Sequence, residues 1–258
     1  MKQVYVCSDT ITGMFSAFYD AWKERRNEEV GIGLKGRLEQ QLFCEYTEVQ
    51  EEERKAIAIE RLIQKHLGYN TYWDIYHALL SDDAYKAEAV FHVMQAARTI
   101  KNSKKIMEHL SNSDVAKVFE LSRRVGNESH QFIEFIRFRE LENGVLFSDI
   151  NPKNKVLTCL GDHFTDRFPL ENWLIYDKMH RECIVHRARY TWVLFQDFEL
   201  NIEMTENISP KEREFEQLWK KFFKSISIKE RENPTCQRNH LPLRFRPEMT
   251  EFVKVDVL

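Results

Sequence analysis

The chain has 258 residues, 43% of them hydrophobic and 31% charged, with only 8 glycines and 6 prolines. This composition is typical of a globular protein and argues against a disordered chain. The five cysteines are odd in number and widely spaced, unlike a secreted disulfide framework. No run approaches the roughly 18 apolar residues of a membrane helix, and the N-terminus lacks a signal peptide's apolar stretch. We therefore expect a cytoplasmic protein with reduced thiols and no membrane partner.

The net charge of −3 is unevenly distributed along the chain. The segment from Lys220 to Arg246 holds eight bases and two acids, which gives it a charge of +6 and leaves −9 elsewhere. Such asymmetry is typical of a protein with a polyanionic partner. A solvated basic tail is the alternative.

The first 110 residues are predicted to be mainly helical. Residues 2–7 alternate between apolar and polar side chains as a strand does, and residues 42–48 are a candidate second strand. Apolar residues at helical spacing fill most of the remainder, from Met14 to Ala97.

Gly31, Gly33 and Gly36 match the glycine fingerprint of dinucleotide-binding folds by letter. That fingerprint requires a preceding strand and a helix that begins at the third glycine, where free N–H groups meet phosphate. The preceding stretch, Ala17–Glu28, is predicted to be helical. We therefore interpret the three glycines as a loop.

The pattern changes after Asp114. A helix is predicted to about Glu128, and the composition of Phe132–Glu140 then favours a strand. The following Asn143-Gly144 pair favours a type I′ hairpin turn, because both central residues of that turn need a positive φ.

The rest of the second half contains a helix after Pro152 and further β-rich runs. The hairpin partner and these runs are predicted at Val145–Ile150, Trp173–Asp177, Cys183–His186 and Tyr190–Phe195. Their short connections favour antiparallel pairing. A final amphipathic helix carries Phe215, Leu218, Trp219, Phe222 and Phe223 at helical spacing.

These elements predict an α+β fold. The N-terminal half is helical, the second half is a mainly antiparallel sheet with flanking helices, and a C-terminal helix and basic tail follow. We divide the chain into a mainly helical region 1–110 with a leading strand, an α+β core 111–200, and a region 201–258. The last region holds a linker, the amphipathic helix and the basic tail. One continuous domain is the alternative.

The sequence Phe135-Ile136-Arg137-Phe138-Arg139 interleaves aromatic and arginine residues. In a strand, Phe135, Arg137 and Arg139 would share one face. A guanidinium group suits phosphate, and an adjacent ring can stack on a base. The alternative is an edge strand whose arginines form ion pairs, with Glu140, Glu142 or Asp149 as partners.

His163 and Arg167 are predicted to lie on one helical face, four residues apart. The next strand ends in Tyr176 and Asp177. His163, Tyr176 and Asp177 are the best general acid or base candidates if the protein is an enzyme, which the sequence leaves open. Structural hydrogen bonding is the alternative use of each.

The sequence predicts neither a metal nor a cofactor. No cysteines have C-x-x-C spacing, and His180, Cys183 and His186 are better explained as packed residues of a strand. The G-x-S-x-G, H-E-x-x-H and P-loop signatures are absent.

Several segments together carry a resemblance to a known family. They are Val4-Tyr5-Val6 with Thr12–Trp22, Phe135–Glu140, His163–Phe168, Trp173–Asp177, and Asn233–Arg244 followed by Glu251. At these segments the chain resembles the family called probable DNA metabolism protein, radical-SAM-linked, which is built on domain of unknown function 4130. The resemblance spans nearly the whole chain in the same order.

The resemblance implies a bacterial protein encoded beside a putative DNA modification or repair protein of the radical SAM class. Related domains occur fused to uracil-DNA glycosylase-like domains. This chain lacks the cysteine triplet of the radical SAM partner and any glycosylase motif, so neither catalytic role carries over.

The leading hypothesis is a nucleic-acid-binding accessory protein of a DNA modification or repair system. Its phosphate groove is expected to contain Arg137, Arg139, His163 and Arg167 with the tail residues Arg238 and Arg244, and Phe135 or Trp173 would offer a stacking platform. One alternative is a nucleic-acid hydrolase that uses His163, Tyr176 and Asp177. Another is a protein adaptor that holds the radical SAM partner and has no affinity for nucleic acid.

Overall fold

The computed structural model describes residues 2–23, 30–39, 42–201 and 205–252. The chain divides after Asn127 into two compact units, 1–127 and 128–258. The division into three regions expected from the sequence stays a prediction, and the predicted linker includes residues 202–204, which lie outside the described ranges.

The described part of the first unit combines three strands with helices. Its elements are β1 (Lys2–Cys7), α1 (Ile11–Lys23), β2 (Val30–Leu34), β3 (Cys44–Glu48), α2 (Glu53–Leu67), α3 (Tyr69–Leu79), α4 (Lys86–Ala96), a 3-10 helix at Ser103–Glu108, and the beginning of α5 (Ser113–Phe135).

The strands of the first unit form a parallel sheet with the order β2-β1-β3. Gly31 and Gly33 lie inside β2, so their interpretation as a loop was wrong. Val30, Ile32 and Leu34 alternate with the glycines and are typical of a strand. The glycines favour a loop by composition, and for this reason the strand was not predicted. Beyond β2 the next described regular element is β3 rather than a helix, so this glycine pattern lacks the helix of a dinucleotide fingerprint.

Helices α1 to α4 supply the core of the first unit. Phe15 and Phe18 of α1 are buried, and the ring of Phe18 lies 6.0 Å from that of Phe91 in α4. Ile63 of α2 and Ile75 of α3 are also fully buried. Buried residues recur at helical spacing along α2 and α3, whereas α1 and α4 are buried on most sides.

The second unit contains the end of α5 and a five-stranded sheet with helices. Its elements are β4 (Arg139–Glu140), β5 (Leu146–Ile150), α6 (Leu157–Arg167), β6 (Trp173–Asp177), β7 (Glu182–His186), β8 (Trp192–Phe195), α7 (Pro210–Ser225), a 3-10 helix at Lys229–Arg231, α8 (Pro234–His240), and a 3-10 helix at Leu243–Glu248. Within the described ranges, no helix is both long enough and apolar enough to cross a membrane.

The sheet of the second unit has the strand order β4-β5-β6-β7-β8. Neighbouring strands are antiparallel except β5 and β6, which are parallel and connected through α6. The predicted fold class is therefore confirmed: a helical first part is followed by a mostly antiparallel sheet and C-terminal helices.

The predicted hairpin is present, but it is shorter than expected and its turn is not type I′, because Gly144 has a positive φ whereas Asn143 does not. Gly144 has a φ of +78° and its N–H donates to the carbonyl of Leu141 at 2.8 Å, which closes the turn. However, α5 continues to Phe135, so the strand predicted from Phe132 begins only at Arg139. The aromatic and branched residues at the end of α5 favour a strand by composition, whereas buried Phe132 continues the helical stripe of Val125.

Helix α6 covers one face of this sheet. Phe164 of α6 lies 6.3 Å from the ring of Trp173 in β6, which is fully buried. A Cβ on Gly161 would approach the ring of Trp192 to 2.4 Å, so only glycine permits this close packing of helix on strand. The indole of Trp192 also donates to Asp162 at 2.7 Å.

Candidate nucleic-acid interface

The aromatic–arginine segment is divided between a helix end and a short strand. Phe135 ends α5 and packs against Phe245 with ring centroids 5.1 Å apart. Arg137 lies between the two elements, so Phe135, Arg137 and Arg139 do not share one strand face as expected. Arg139 lies in β4, and its guanidinium group lies 5.6 Å from the ring centroid of Phe147.

Each arginine of this segment has a carboxylate partner. Arg139 donates to Asp149 at 3.2 Å, which is one of the pairings expected for an ion-paired edge. Arg137 donates to Glu251 at 3.1 Å, and the carboxylate of Glu251 is buried. Glu251 also accepts a hydrogen bond from the indole of Trp219 at 3.2 Å. Glu251 therefore fixes the positions of both Arg137 and Trp219.

Arg244 has a structural partner of the same kind. Its guanidinium group donates to Glu128 at 2.8 Å, and Glu128 is buried in α5. Glu128 also accepts from the backbone N–H groups of Lys153 and Asn154 and from the side chain of Asn154. This carboxylate therefore joins α5, the segment before α6 and the C-terminal tail.

Trp173 is not available as a stacking platform, because the structure buries its side chain completely. Its ring stacks on that of His186 at 4.9 Å. Arg167 is exposed at the end of α6, with its guanidinium group 5.7 Å from the ring of Phe168. Arg238 is exposed in α8 and donates to the carbonyl of Pro234 at 3.1 Å.

The three general acid or base candidates have separate surroundings. His163 lies on α6, with its ring 5.0 Å from that of Phe164. Tyr176 and Asp177 are consecutive residues of β6, so their side chains point to opposite faces of the sheet. The hydroxyl of Tyr176 donates to the carbonyl of Phe198 at 3.5 Å. The structure thus does not bring Tyr176 and Asp177 into one pocket, and a role in catalysis stays a prediction for all three.

Asp177 has a partner in His180, which lies in the turn before β7 and is not a strand residue as expected. Its buried carboxylate lies 2.6 Å from Nδ1 of His180 and accepts from the backbone N–H groups of Met179 and His180. The available signal was an Asp three residues before a His in the short connection between two predicted strands. These bonds close the turn between β6 and β7, which gives the pair a structural explanation.

His186 and Cys183 are packed residues of β7. Nδ1 of His186 lies 2.9 Å from the carbonyl of Glu171, and Cys183 is buried. Burial raises the pKa of the Cys183 thiol to about 11. Over the described residues, no three His, Cys, Asp or Glu side chains are arranged to hold a metal ion.

Helix α7 borders two adjoining clefts, which together form the α7 groove and share Glu216 and Thr250. The aromatic cleft has a volume of about 340 Å³. Its other lining residues are Arg137, Phe138, Glu212, Phe215 and Trp219. Burial raises the pKa of Glu212, although its hydrogen bond from the N–H of Glu140 acts in the opposite direction.

The second, polar cleft has a volume of about 440 Å³ and is lined by Arg139, Asp149, Lys178, Glu206, Ile208, Lys220, Pro247 and Glu248 in addition to the shared residues. Lys178 bridges Asp149 and Glu248, at 2.9 Å from each. Arg139 and Lys178, two of the three bases that line this cleft, are therefore ion-paired, and Lys220 is not paired with any residue that the structure describes.

The basic C-terminal segment consists of two structurally different parts. Residues 243–251 are docked on the second unit, where Phe245 and Met249 are buried. Their acids Glu248 and Glu251 pair with Lys178 and Arg137. The alternative of a solvated tail was therefore wrong for these residues.

The other part, which we call the basic segment, spans residues 220–238. Its bases are Lys220, Lys221, Lys224, Lys229, Arg231 and Arg238; Lys220 is partly exposed and the others are exposed. None of the six forms an ion pair with another residue in the part of the chain that the structure describes. Their positive charge therefore remains available to a partner.

A comparison with known families gives a match over most of the chain. A family model described as "Domain of unknown function (DUF4130)" matches residues 84–251, about two thirds of the chain. No curated protein matches the chain. The match includes the α7 groove, the basic segment and the buried carboxylates Glu128 and Glu251. The chain belongs to the family of domain of unknown function 4130.

Proposed function

We propose that this protein is a nucleic-acid-binding accessory protein whose basic segment contacts the phosphate backbone. The observation that carries the proposal is the contrast between two sets of bases. Arg137, Arg139 and Arg244 are neutralised by carboxylates, whereas Lys221, Lys224 and their neighbours in the basic segment are not. Exposed bases without acid partners can release counterions from a polyanion, which drives association with nucleic acid.

The proposed interface lies on α7 and α8 and not on the hairpin that the sequence had suggested. An arginine already paired with a buried carboxylate loses that partner if it turns toward a phosphate, and a buried carboxylate left alone is costly. Lys220, Lys221 and Lys224 carry no such cost. Arg238 remains in the proposed interface, and Arg167 lies outside it.

The biological setting follows from the resemblance. We propose that the protein serves a DNA modification or repair system and works with a radical SAM protein encoded nearby, with DNA as the polyanion. Support for this setting comes from the membership of the family and from the resemblance at Phe135–Glu140, His163–Phe168 and Asn233–Arg244. A cytoplasmic location fits the same setting.

The experiment is fluorescence anisotropy with a labelled oligonucleotide at low salt, comparing the wild type with Lys220→Gln/Lys221→Gln/Lys224→Gln. The triple variant is expected to bind at least about tenfold more weakly, because each phosphate contact adds counterion release. The matched control is Lys101→Gln/Lys104→Gln/Lys105→Gln, which removes the same charge from exposed lysines of the first unit. Equal affinity of the two triple variants would refute the proposed interface.

A further inference from the structure

Helix α7 carries an apolar stripe that the described part of the protein does not bury. Phe215 is 54% exposed, Trp219 41% and Phe222 52%, and none of the helix residues is buried. A surface helix of a globular protein normally turns such a stripe into the core. Exposed apolar patches of this kind mark binding surfaces.

The stripe forms one wall of the aromatic cleft. Phe215 and Trp219 lie on this wall, and Phe138 and Arg137 line the cleft from the segment that follows α5. The volume of about 340 Å³ is in the range of small-ligand sites. The hydrogen bond from Trp219 to Glu251 and the ion pair from Arg137 to Glu251 hold a ring and a donor group in fixed positions.

We propose that the aromatic cleft receives an unpaired nucleobase, so that the protein binds single-stranded nucleic acid in preference to duplex. This inference rests on the proposed function. A single strand exposes the faces of its bases, which can stack on aromatic side chains, whereas a duplex hides them. The rings of Phe215 and Trp219 offer such faces.

The polar groups of the cleft favour a base over an apolar peptide side chain. Arg137 presents N–H donors, and Glu216 presents a carboxylate that can accept from an exocyclic amino group. Arg137 keeps its bonds to Glu251 and to the carbonyls of Glu134 and Ile136 in any case, but an apolar side chain would bury the carboxylate of Glu216 without a hydrogen-bond partner, which is unfavourable. The edge of a base can pair with both kinds of group.

The base of the basic segment nearest to the stripe is Lys220, which follows Trp219 and lines the adjoining polar cleft. Glu212 and Glu216 line the aromatic cleft itself, and Lys221 and Lys224 point away from Trp219 on α7, so we expect phosphates to lie toward Lys220. A base in the cleft would place its flanking phosphates near this end of α7. Stacking on rings beside a basic surface is the usual arrangement in proteins that bind single strands.

The test compares one labelled oligonucleotide as a single strand and as a duplex at low salt, by anisotropy. We expect tighter binding of the single strand by the wild type. Phe215→Leu and Trp219→Leu should each weaken single-strand binding about fivefold or more, because each removes one ring on which a base can stack. Neither change should alter duplex binding. Trp219→Phe should retain most of the affinity. Leu218→Ala, which changes an exposed residue outside the cleft, should have no effect.

The outcomes separate this inference from the proposed function. If the leucine variants bind the single strand as the wild type does while the lysine triple variant is weakened, the cleft inference falls and the proposed function stands. If neither form of DNA binds the wild type, both fall. If the leucine variants change only self-association in sedimentation, α7 is a protein contact and the cleft inference is overturned. Circular dichroism confirms that each variant is folded.

Discussion

Buried carboxylates explain why several arginines of this protein are poor candidates for phosphate binding. Glu128 and Glu251 each join segments more than a hundred residues apart, through Arg244 and Arg137 respectively. A carboxylate that is buried with its partner holds that partner strongly in place, because separation leaves an uncompensated charge. The main role of Arg137 and Arg244 is therefore to stabilise the second unit.

Glu128 should be important for stability. Replacing it in Glu128→Ala removes the acceptor of four hydrogen bonds and leaves the backbone N–H groups of Lys153 and Asn154 unsatisfied. We expect the free energy of unfolding of the second unit to fall by about 2–3 kcal/mol. This is less than the loss of a fully buried ion pair would cost, because Arg244 is partly exposed to solvent. Urea denaturation measures this change.

The control for this variant is Glu134→Ala, an exposed glutamate on the same helix. Its removal should change the free energy of unfolding by no more than about 0.5 kcal/mol. A similar small effect for Glu128→Ala would contradict the role assigned to the buried carboxylate.

The cysteines should differ sharply in reactivity. Burial raises the pKa of the Cys7 thiol to about 12 and that of the Cys159 thiol to about 11, whereas Cys236 is exposed. Because the thiolate is the reactive form, iodoacetamide at pH 8 should label Cys236 first in the native protein. Mass spectrometry of peptides gives the order. Equal labelling of Cys7 and Cys236 before unfolding would show that the burial described is wrong.

Elements with a strong local pattern could be predicted from the sequence, and those decided by distant contacts could not. The strand at Trp173–Asp177 has the predicted bounds, because its alternating residues and flanking breakers are local signals. The pairing of Arg137 with Glu251 could not be predicted, since the two residues are 114 positions apart. The sequence also gave no reason to expect that the apolar stripe of α7 lines a cleft instead of a core.

Helix α7 depends on its N-terminal cap more than on packing. The hydroxyl of Ser209 accepts from the N–H of Glu212 at 3.0 Å, and Pro210 occupies the first turn. Ser209→Ala should destabilise the helix by about 1 kcal/mol, which lowers the hydrogen-exchange protection of its amides about fivefold. Because α7 buries no residue, we expect little change in the global melting temperature.

Ser227→Ala provides the matched control for the cap, because Ser227 is exposed and lies beyond the end of α7. Its effect on the exchange of α7 amides should be negligible. If Ser209→Ala instead lowers the melting temperature of the whole second unit, α7 is more closely coupled to the sheet than its exposed side chains indicate.

At the scale of the whole molecule, the distribution of charge is the property that points to a partner. The chain is acidic overall, yet the segment from Lys220 to Arg246 carries a charge of +6. Docking of residues 243–251 uses Arg244 internally and leaves the basic segment exposed. A nucleic acid can therefore contact positive charge in the basic segment that no carboxylate of the described residues neutralises.

The most direct test of this account is the salt dependence of single-strand binding for the wild type and for Lys220→Gln/Lys221→Gln/Lys224→Gln. A plot of the logarithm of the binding constant against that of the salt concentration gives the number of phosphates contacted. The account predicts a slope smaller by about 2 in the triple variant, because each lost phosphate contact removes about 0.7 for a single strand. An unchanged slope, with Arg137→Ala/Arg139→Ala reducing it instead, would contradict the assignment of the interface to the basic segment.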